Sequence, residues 1–279
     1  MTNQFMKKPA VAKGCANERA ITRTMIQAKL ASGLASECGF REAFEQVFGS
    51  PSVSNQSLDA DAHVAVVRWF ESPLGPMLEG ATADGVCLLE FVDRRALQTQ
   101  IDVLRKRLKQ PMVPAHVLAT KSPIANSSVA HPALAHLDQL ATQLVEYFAG
   151  TRTEFTVKLL APGTTFQAQV WEALRAIPPG KTRSYAQIAK AIGRPKATRA
   201  VARANGDNRL AILIPCHRVI GSDGSMTGYG GGIWRKEALL KLERRDERQN
   251  LCGLEWTFQS KATCFKTKAG DPAFAASPE

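Results

Sequence analysis

A cysteine and a histidine stand side by side at positions 216 and 217, directly after a short apolar run. The run at residues 212–215 is apolar and includes two β-branched isoleucines, so it predicts a buried strand whose end delivers Cys216 and His217. A cysteine reacts as its thiolate, and a neighbouring imidazole, directly or through a water, is the usual acceptor of the thiol proton near neutral pH. The pair therefore indicates a nucleophilic cysteine. The alternative is an inert buried cysteine beside a histidine on the surface.

The residues ahead of this pair predict a helix-turn-helix. Helical periodicity or helix boundary signals mark three segments, at residues 166–177, 184–192 and 196–204. Ser184 has Gln187 three positions later, which is the capping-box pattern of a helix start. In the third segment, the small residues Ala197 and Ala200 would allow close approach to a nucleic acid groove. A last helix is predicted from residue 234 to about residue 248.

The earlier part of the chain predicts a small antiparallel sheet followed by two helices. Strand-like runs occur at residues 63–70, 75–78 and 85–92, and helical patterns at residues 94–108 and 132–148. We predict no catalytic group in this part. Cys87 lies inside an apolar strand run, and His131 and His136 lie at a helix start, so a structural role is preferred for all three.

Composition and charge narrow the class of protein. The 279 residues are enough for two compact domains with a small third unit. The formal net charge is +11, and residues 161–249 hold 16 basic and 7 acidic residues, which indicates a polyanionic partner. The alternative is a basic surface that only confers solubility.

Cysteine spacing and hydropathy bear on metal content and compartment. The six cysteines form no C-x-x-C pair and no cluster with histidine, so we expect a reduced protein without a metal site. No apolar run reaches the roughly 18 residues of a membrane span, and the start of the chain does not resemble a signal peptide. We expect a cytoplasmic protein that does not contact membranes.

A longer pattern around the pair resembles the active site of the O6-alkylguanine-DNA alkyltransferases. It consists of Ser184-Tyr185, Arg199, Pro215-Cys216-His217-Arg218-Val219, Tyr229 and Glu243. The match runs almost without a gap from about Gly163 to Glu243. The resemblance implies direct, irreversible and stoichiometric transfer of an alkyl group from O6-alkylguanine in duplex DNA to a cysteine. It also implies repair without a cofactor, by a monomer, and it leaves open whether O4-alkylthymine is a second substrate.

The resemblance assigns four residues to the catalytic network. Glu243 would hold His217, His217 would act on a water, and that water would take the proton of Cys216. Asn208 would brace the turn next to them. This order of orienting group, base and nucleophile is that of a hydrolase triad applied to sulfur.

Five further positions match residues that contact DNA or the damaged base. An alkyl group on a base edge lies inside the duplex, so the base must leave the stack. Arg199 would fill the vacated space, or alternatively bind only a phosphate. Tyr185 would press on the target phosphate and donate a hydrogen bond to guanine N3, or alternatively be a core residue. Val219 would help to recognise the guanine edge, while Tyr229 and Gly230 would close over the alkyl group, Gly230 standing where some members have serine.

The expected fold class is α+β with a small N-terminal helical segment. It joins a ribonuclease-H-like α/β N-domain to a mainly helical, winged-helix-like catalytic domain. The expected bounds are a disordered tail at 1–19, a partial helix-turn-helix at 20–57, the N-domain at 58–160, the catalytic domain at 161–248 and a C-terminal tail at 249–279.

Residues 20–57 resemble half of the DNA-binding domain of arabinose-regulator-type activators, which is fused to alkyltransferases in Ada-type proteins. That domain has two helix-turn-helix units, whereas this segment has room for one, and the cysteine-rich zinc domain of Ada-type proteins is also missing. We interpret the segment as a truncated remnant that contacts DNA, or one that only packs on its neighbour.

Two other classes of function are less consistent with the residues. A DNA-binding regulator does not require a Cys-His-Glu set, and the related non-transferring proteins carry Trp at the position of Cys216. A cysteine hydrolase requires an oxyanion site and leaves Arg199 and Tyr185 without a role.

Overall fold

The computed structural model describes residues 63–115 and 131–244, which form a mixed α/β fold. The predicted N-terminal tail and partial helix-turn-helix lie outside the described residues, as does the C-terminal tail. The first described part contains β1 (Ala65–Ser72), β2 (Gly75–Thr82), β3 (Gly85–Phe91), α1 (Leu97–Leu108), β4 (Met112–Pro114) and α2 (Pro132–Ala149). The second contains α3 (Thr165–Arg175), β5 (Arg183–Ser184), α4 (Tyr185–Ala191), α5 (Thr198–Gly206), a 3₁₀ helix (Cys216–Arg218), β6 (Val219–Ile220) and α6 (Ile233–Glu243).

The first part is a four-stranded sheet with a helix on each face. The strand order is β3-β2-β1-β4, antiparallel except for the parallel pair of β1 and β4. Successive side chains of a strand point to opposite faces. Accordingly, Val67 packs in a cluster with Ile101 of α1, whereas Val66 packs in a cluster with Leu137 of α2. The second cluster also contains Cys216, so the core on the α2 side continues into the part that carries the reactive thiol.

The sequence prediction of this sheet was largely correct. Three strands and both helices occur where the pattern placed them, although α1 begins at Leu97 rather than at residue 94. Strand β4 was missed because three residues are too few to show a period. Cys87 is buried within β3, and His131 caps α2 by accepting a hydrogen bond from the amide of Ala133.

In the second part, α4 and α5 form the predicted helix-turn-helix and pack on α3. The capping box of Ser184 and Gln187 is present at the start of α4, and Thr164 and Gln167 make a second one at α3. Helix α5 starts two residues later than predicted and ends at Gly206. The short parallel pair of β5 and β6 joins the start of α4 to the residues that follow the Cys-His pair.

The predicted strand at residues 212–215 is wrong. This segment is a turn, and Ile212 has a φ of 70°, which no regular strand contains. Its apolar residues are buried in the core. Burial, and not pairing in a sheet, therefore explains why this segment is apolar. A turn and a 3₁₀ helix, not a strand end, therefore present Cys216.

A buried carboxyl in the sheet predicts a pH-dependent stability. Glu79 is fully buried opposite Arg68 on β1, whose Nε lies 3.0 Å from Glu79 Oε2. Burial raises the pKa of Glu79 from 4.5 to about 7, although Arg68 opposes the change. A raised carboxyl pKa contributes stability that is complete below pH 4.5 and is lost as pH rises through about 7. The loss is at most about 3 kcal/mol.

We therefore expect the free energy of unfolding of Glu79→Gln to depend less on pH between 5 and 8 than that of the unaltered protein. Urea unfolding at a series of pH values measures the slope. The matched control is Glu71→Gln, an exposed position on the neighbouring strand β1, which should keep the original slope. An unchanged slope in Glu79→Gln would contradict the assignment.

Candidate active site

Cys216 begins the 3₁₀ helix and is buried, with 7% of its surface exposed. Its amide donates to the carbonyl of Ile214 at 2.7 Å, which fixes the backbone immediately before the thiol. The side-chain amide of Asn208 donates to the sulfur at 3.2 Å. The thiol is thus held in one place and contacts a hydrogen-bond donor.

Asn208 also holds the turn that leads to the thiol. Its Nδ2 donates to the carbonyl of Ile214 at 2.9 Å, and its Oδ1 accepts from the amide of Leu210 at 3.0 Å. The side chain thus satisfies two backbone groups of the turn, in addition to the backbone bonds from the amide of Ile214 to Leu210 and from the amide of Leu213 to Ala211. The structure therefore places Asn208 where the resemblance expected a brace.

His217 is fully buried and contacts Glu243. Its Nε2 lies 2.8 Å from Glu243 Oε1, whereas its Nδ1 is buried without a partner in the described part of the chain. Burial lowers the pKa of His217 below its ordinary value of 6.5, although Glu243 opposes the change. The neutral ring therefore donates from Nε2 to the carboxylate and keeps a lone pair on Nδ1. That lone pair is available to accept a proton.

Glu243 is the centre of a network that ties together four segments. Its carboxylate accepts from Arg218 Nε at 2.9 Å and Nη2 at 2.8 Å, from the Tyr147 hydroxyl at 2.9 Å and from the Gly180 amide at 3.1 Å. Burial raises the pKa of Glu243, but the bonds from His217 and Arg218 outweigh burial and hold it well below the usual range. The carboxylate is therefore charged near neutral pH.

Burial raises the pKa of the Cys216 thiol to about 11. The hydrogen bond from Asn208 and the nearby charges of Arg94 and Lys236 lower it, whereas Glu90 raises it. The thiol is therefore protonated near neutral pH in this state. Any reaction of the sulfur must include removal of that proton, and the free lone pair on His217 Nδ1 is a candidate acceptor for it.

Lys236 belongs to the site but was not predicted. It is fully buried, and its Nζ donates to the carbonyls of Val219 and Thr227. Burial lowers its pKa from 10.5 to about 8. The signal in the sequence was its place on the buried face of α6, three and four residues before Leu239 and Leu240.

A loop with four glycines lies beside the thiol and carries Tyr229. Tyr185, the first residue of α4, approaches this loop with its hydroxyl 3.5 Å from the carbonyl of Thr227. A Cβ at Gly228 would lie 2.9 Å from that hydroxyl, and φ there is +65°, so only glycine fits. The Tyr229 hydroxyl is buried without a partner among the described side chains, while Gly230 is exposed. Tyr185 and Tyr229 both lie close enough to Cys216 to be affected by its charge.

The predicted DNA-contacting helix presents small and basic residues at its start. Ala197 caps α5 and is half-buried, while Arg199 and Ala200 are exposed. Further exposed basic side chains on α4, α5 and the turn between them are Lys190, Arg194, Lys196 and Arg203. The helix-turn-helix thus has a positive, solvent-facing surface.

The described residues contain neither a cluster of metal ligands nor a helix that could cross a membrane. Nowhere in residues 63–115 and 131–244 do three or more His, Cys, Asp or Glu side chains converge as metal ligands do. Within the same ranges, each helix is too short or too polar to cross a membrane.

Comparisons with known proteins agree with this geometry. Residues 165–245 match the model of the 6-O-methylguanine DNA methyltransferase, DNA binding domain. A methylated-DNA–protein-cysteine methyltransferase of Methanosarcina acetivorans is 42% identical over 174 residues, which is 62% of this chain and 95% of that protein. One of Mycobacterium tuberculosis is 62% identical over 102 residues, 37% of this chain and 62% of that protein, so this chain aligns with less than two thirds of its mycobacterial relative.

A solved structure extends the likeness to the sheet. The O6-methylguanine methyltransferase of Mycobacterium tuberculosis has a TM-score of 0.51 and 39% identity, covering 66% of this chain and 96% of that chain.

Proposed function

Because this chain belongs to the methylated-DNA–protein-cysteine methyltransferase family, we propose that it repairs DNA by moving the alkyl group of O6-alkylguanine to Cys216. The observation that supports the proposal best is the Cys216-His217-Glu243 set, in which a buried thiol has a histidine beside it in the chain, oriented by a carboxylate. In the transfer, the bond from the alkyl carbon to guanine O6 breaks and a carbon–sulfur bond forms. Guanine leaves as an anion and takes up one proton, which balances the proton lost by the thiol.

The site also indicates the path of the thiol proton. The Cys216 proton passes through a water to Nδ1 of His217, and the fixed charge of Glu243 stabilises the resulting imidazolium. Arg218 keeps that carboxylate in place through two hydrogen bonds. The product is a thioether, which has no easy leaving group, so each protein molecule acts once.

Access to the alkyl group requires the damaged base to leave the duplex. Arg199 at the exposed start of α5 fills the vacated stack, and Tyr185 donates to guanine N3 from beside the thiol. Val219 presents its backbone to the guanine edge, and Tyr229 and Gly230 close over the alkyl group. Ala197 and Ala200 allow the helix to approach the groove.

The partner that we propose is double-stranded DNA that carries O6-alkylguanine, bound by a monomer in the cytoplasm. The positive surface of the helix-turn-helix supports a phosphate backbone as the partner. We assign residues 58–160 to a ribonuclease-H-like N-domain and residues 161–248 to a winged-helix-like catalytic domain. We also propose that residues 20–57 are the truncated remnant of a regulator-type DNA-binding domain.

Intact-protein mass spectrometry tests the proposal directly. After incubation with duplex that contains O6-methylguanine, we expect one mass gain of about 14 Da, the exchange of a thiol proton for a methyl group. Peptide mapping should place it on Cys216 and not on Cys87, the other cysteine in the described residues. Cys216→Ser is the control and should gain no mass. Turnover beyond one equivalent, or an adduct elsewhere, would contradict suicide transfer.

A further inference from the structure

A buried ion pair from the N-terminal part of the fold reaches the site. Arg94 follows β3 and pairs with Glu90, and each of the two residues is 4% exposed. The guanidinium donates from Nη1 to the carbonyl of Asn208 at 2.7 Å and from Nη2 to the carbonyl of Gly206. Arg94 therefore holds the end of α5 and the residue that binds the thiol.

Only Asn208 separates the guanidinium of Arg94 from the sulfur of Cys216. Arg94 fixes the backbone of Asn208, and the side chain of Asn208 donates to Cys216 Sγ. A movement of the Asn208 carbonyl therefore changes the geometry of the donor to the sulfur. The charges of Glu90 and Arg94 also act on the thiol, in opposite directions.

The same arginine lies against the glycine loop on the other side of the site. A Cβ at Gly230 would lie 2.7 Å from Arg94 Nε, and the amide of Arg95 donates to the Gly230 carbonyl at 3.2 Å. The Nε of Arg94 is buried without a partner in the described residues. Arg94 thus contacts both the turn behind the thiol and the loop that carries Tyr229.

Stability alone does not explain a buried pair at this position. Two charges removed from water cost several kcal/mol each, and well-packed apolar side chains often serve the fold equally well. Arg107 already joins the two parts of the fold elsewhere, since it donates to the Pro162 carbonyl at 2.7 Å and to Gln167 Oε1 at 3.0 Å.

We propose that Arg94, held by Glu90, is a positioning residue for alkyl transfer, which sets the separation between the Asn208-bound thiol and the Tyr229 loop. The inference rests on the proposed function of Cys216. If so, Glu90 in β3 and Arg94 just after it act on a site whose other side chains lie almost entirely in the second part of the chain.

The main test compares Arg94→Gln with Arg107→Gln. At saturating alkylated duplex, we expect Arg94→Gln to transfer at least about 30-fold more slowly, with a half-saturating DNA concentration within about twofold of the unaltered protein. Arg107→Gln removes another arginine that bridges the two parts and should keep the rate within about twofold. Arg95→Gln, at an exposed position, controls for the loss of one positive charge.

A second measurement does not depend on DNA. The rate of iodoacetamide addition to Cys216, followed against pH, reports the thiol pKa. Arg94→Gln should shift this profile to higher pH, and Glu90→Gln should shift it to lower pH, because the two charges act oppositely on the thiolate. If the pair served only the stability of the fold, both variants would have a lower melting temperature, but their iodoacetamide profiles would not shift in opposite directions.

The outcomes separate this inference from the proposed function. A folded Arg94→Gln with the original rate, or an equal loss in Arg107→Gln, would overturn the positioning role. If Arg94→Gln does not fold, the double variant Glu90→Gln/Arg94→Met leaves no unpaired charge, and the same slow transfer is expected from it. If the unaltered protein acquires no adduct, the proposed function fails and the role of Arg94 in transfer fails with it, while the iodoacetamide profiles still show whether Arg94 and Glu90 act on the Cys216 thiol.

Discussion

Glu243→Gln should slow alkyl transfer by at least about 100-fold, equivalent to roughly 2.7 kcal/mol of activation free energy. The neutral amide keeps the size of the carboxylate but removes the charge that stabilises protonated His217. It also turns an acceptor of bonds from His217 and Arg218 into a group that is half donor. DNA affinity should stay within about threefold, because Glu243 is buried away from the exposed surface of α5.

Single-turnover rates at saturating duplex measure this effect, and thermal unfolding shows how much stability is lost. The matched control is Glu237→Gln, an exposed position on the same helix, which should transfer at the original rate. Burial lowers the pKa of His217, so the rate of the unaltered protein should fall only as pH drops below about 6.5. An unchanged rate in folded Glu243→Gln would show that the charge of Glu243 does not stabilise a protonated His217 during transfer.

Local sequence signals predicted the elements that position the site. The capping box at Ser184 and Gln187 and the apolar period of α3 describe interactions within a few residues, so they are visible in the chain itself. Helix α6 was likewise predicted, although the burial of Lys236 on it was not. The helix-turn-helix could therefore be predicted from the sequence with an error of about two residues at its second helix.

The turn before Cys216 could not be predicted in this way. β-Branched residues favour strands chiefly because they pack well on a half-buried pleated surface. Here Ile212 and Ile214 are buried without strand pairing, because bonds within the turn, together with the side chain of Asn208, satisfy its backbone. Hydrogen bonds of this kind leave no periodic signal in the sequence.

The contribution of the sheet was missed for a different reason. Glu90 and Arg94 are more than one hundred residues from the thiol in the chain, and the Arg94–Asn208 bond exists only after the two parts pack together. In the sequence, Glu90 is one acidic residue in an apolar run. Only the structure shows that the pair is buried and reaches the site.

Arg199→Ala should slow transfer from duplex DNA by about 100-fold but transfer from the same lesion in single-stranded DNA by less than about threefold. Rotation of a base out of a duplex costs a few kcal/mol of stacking and pairing, and a side chain that fills the vacated space recovers part of that cost. A base in a single strand is already largely unstacked and unpaired, so filling the vacated space with Arg199 should raise its transfer rate very little. Because Arg199 is exposed at the start of α5, its loss should not change the fold.

The comparison of the two substrates in one variant separates base extrusion from phosphate binding. Arg203→Ala, another exposed arginine on the same helix, is the control, and its loss should weaken binding to both substrates by a similar factor. Rates at saturating DNA isolate the step after binding. Equal losses on duplex and single strand in Arg199→Ala would contradict a role in the stack and leave Arg199 as a phosphate contact, because a phosphate contact does not distinguish a paired base from an unpaired one.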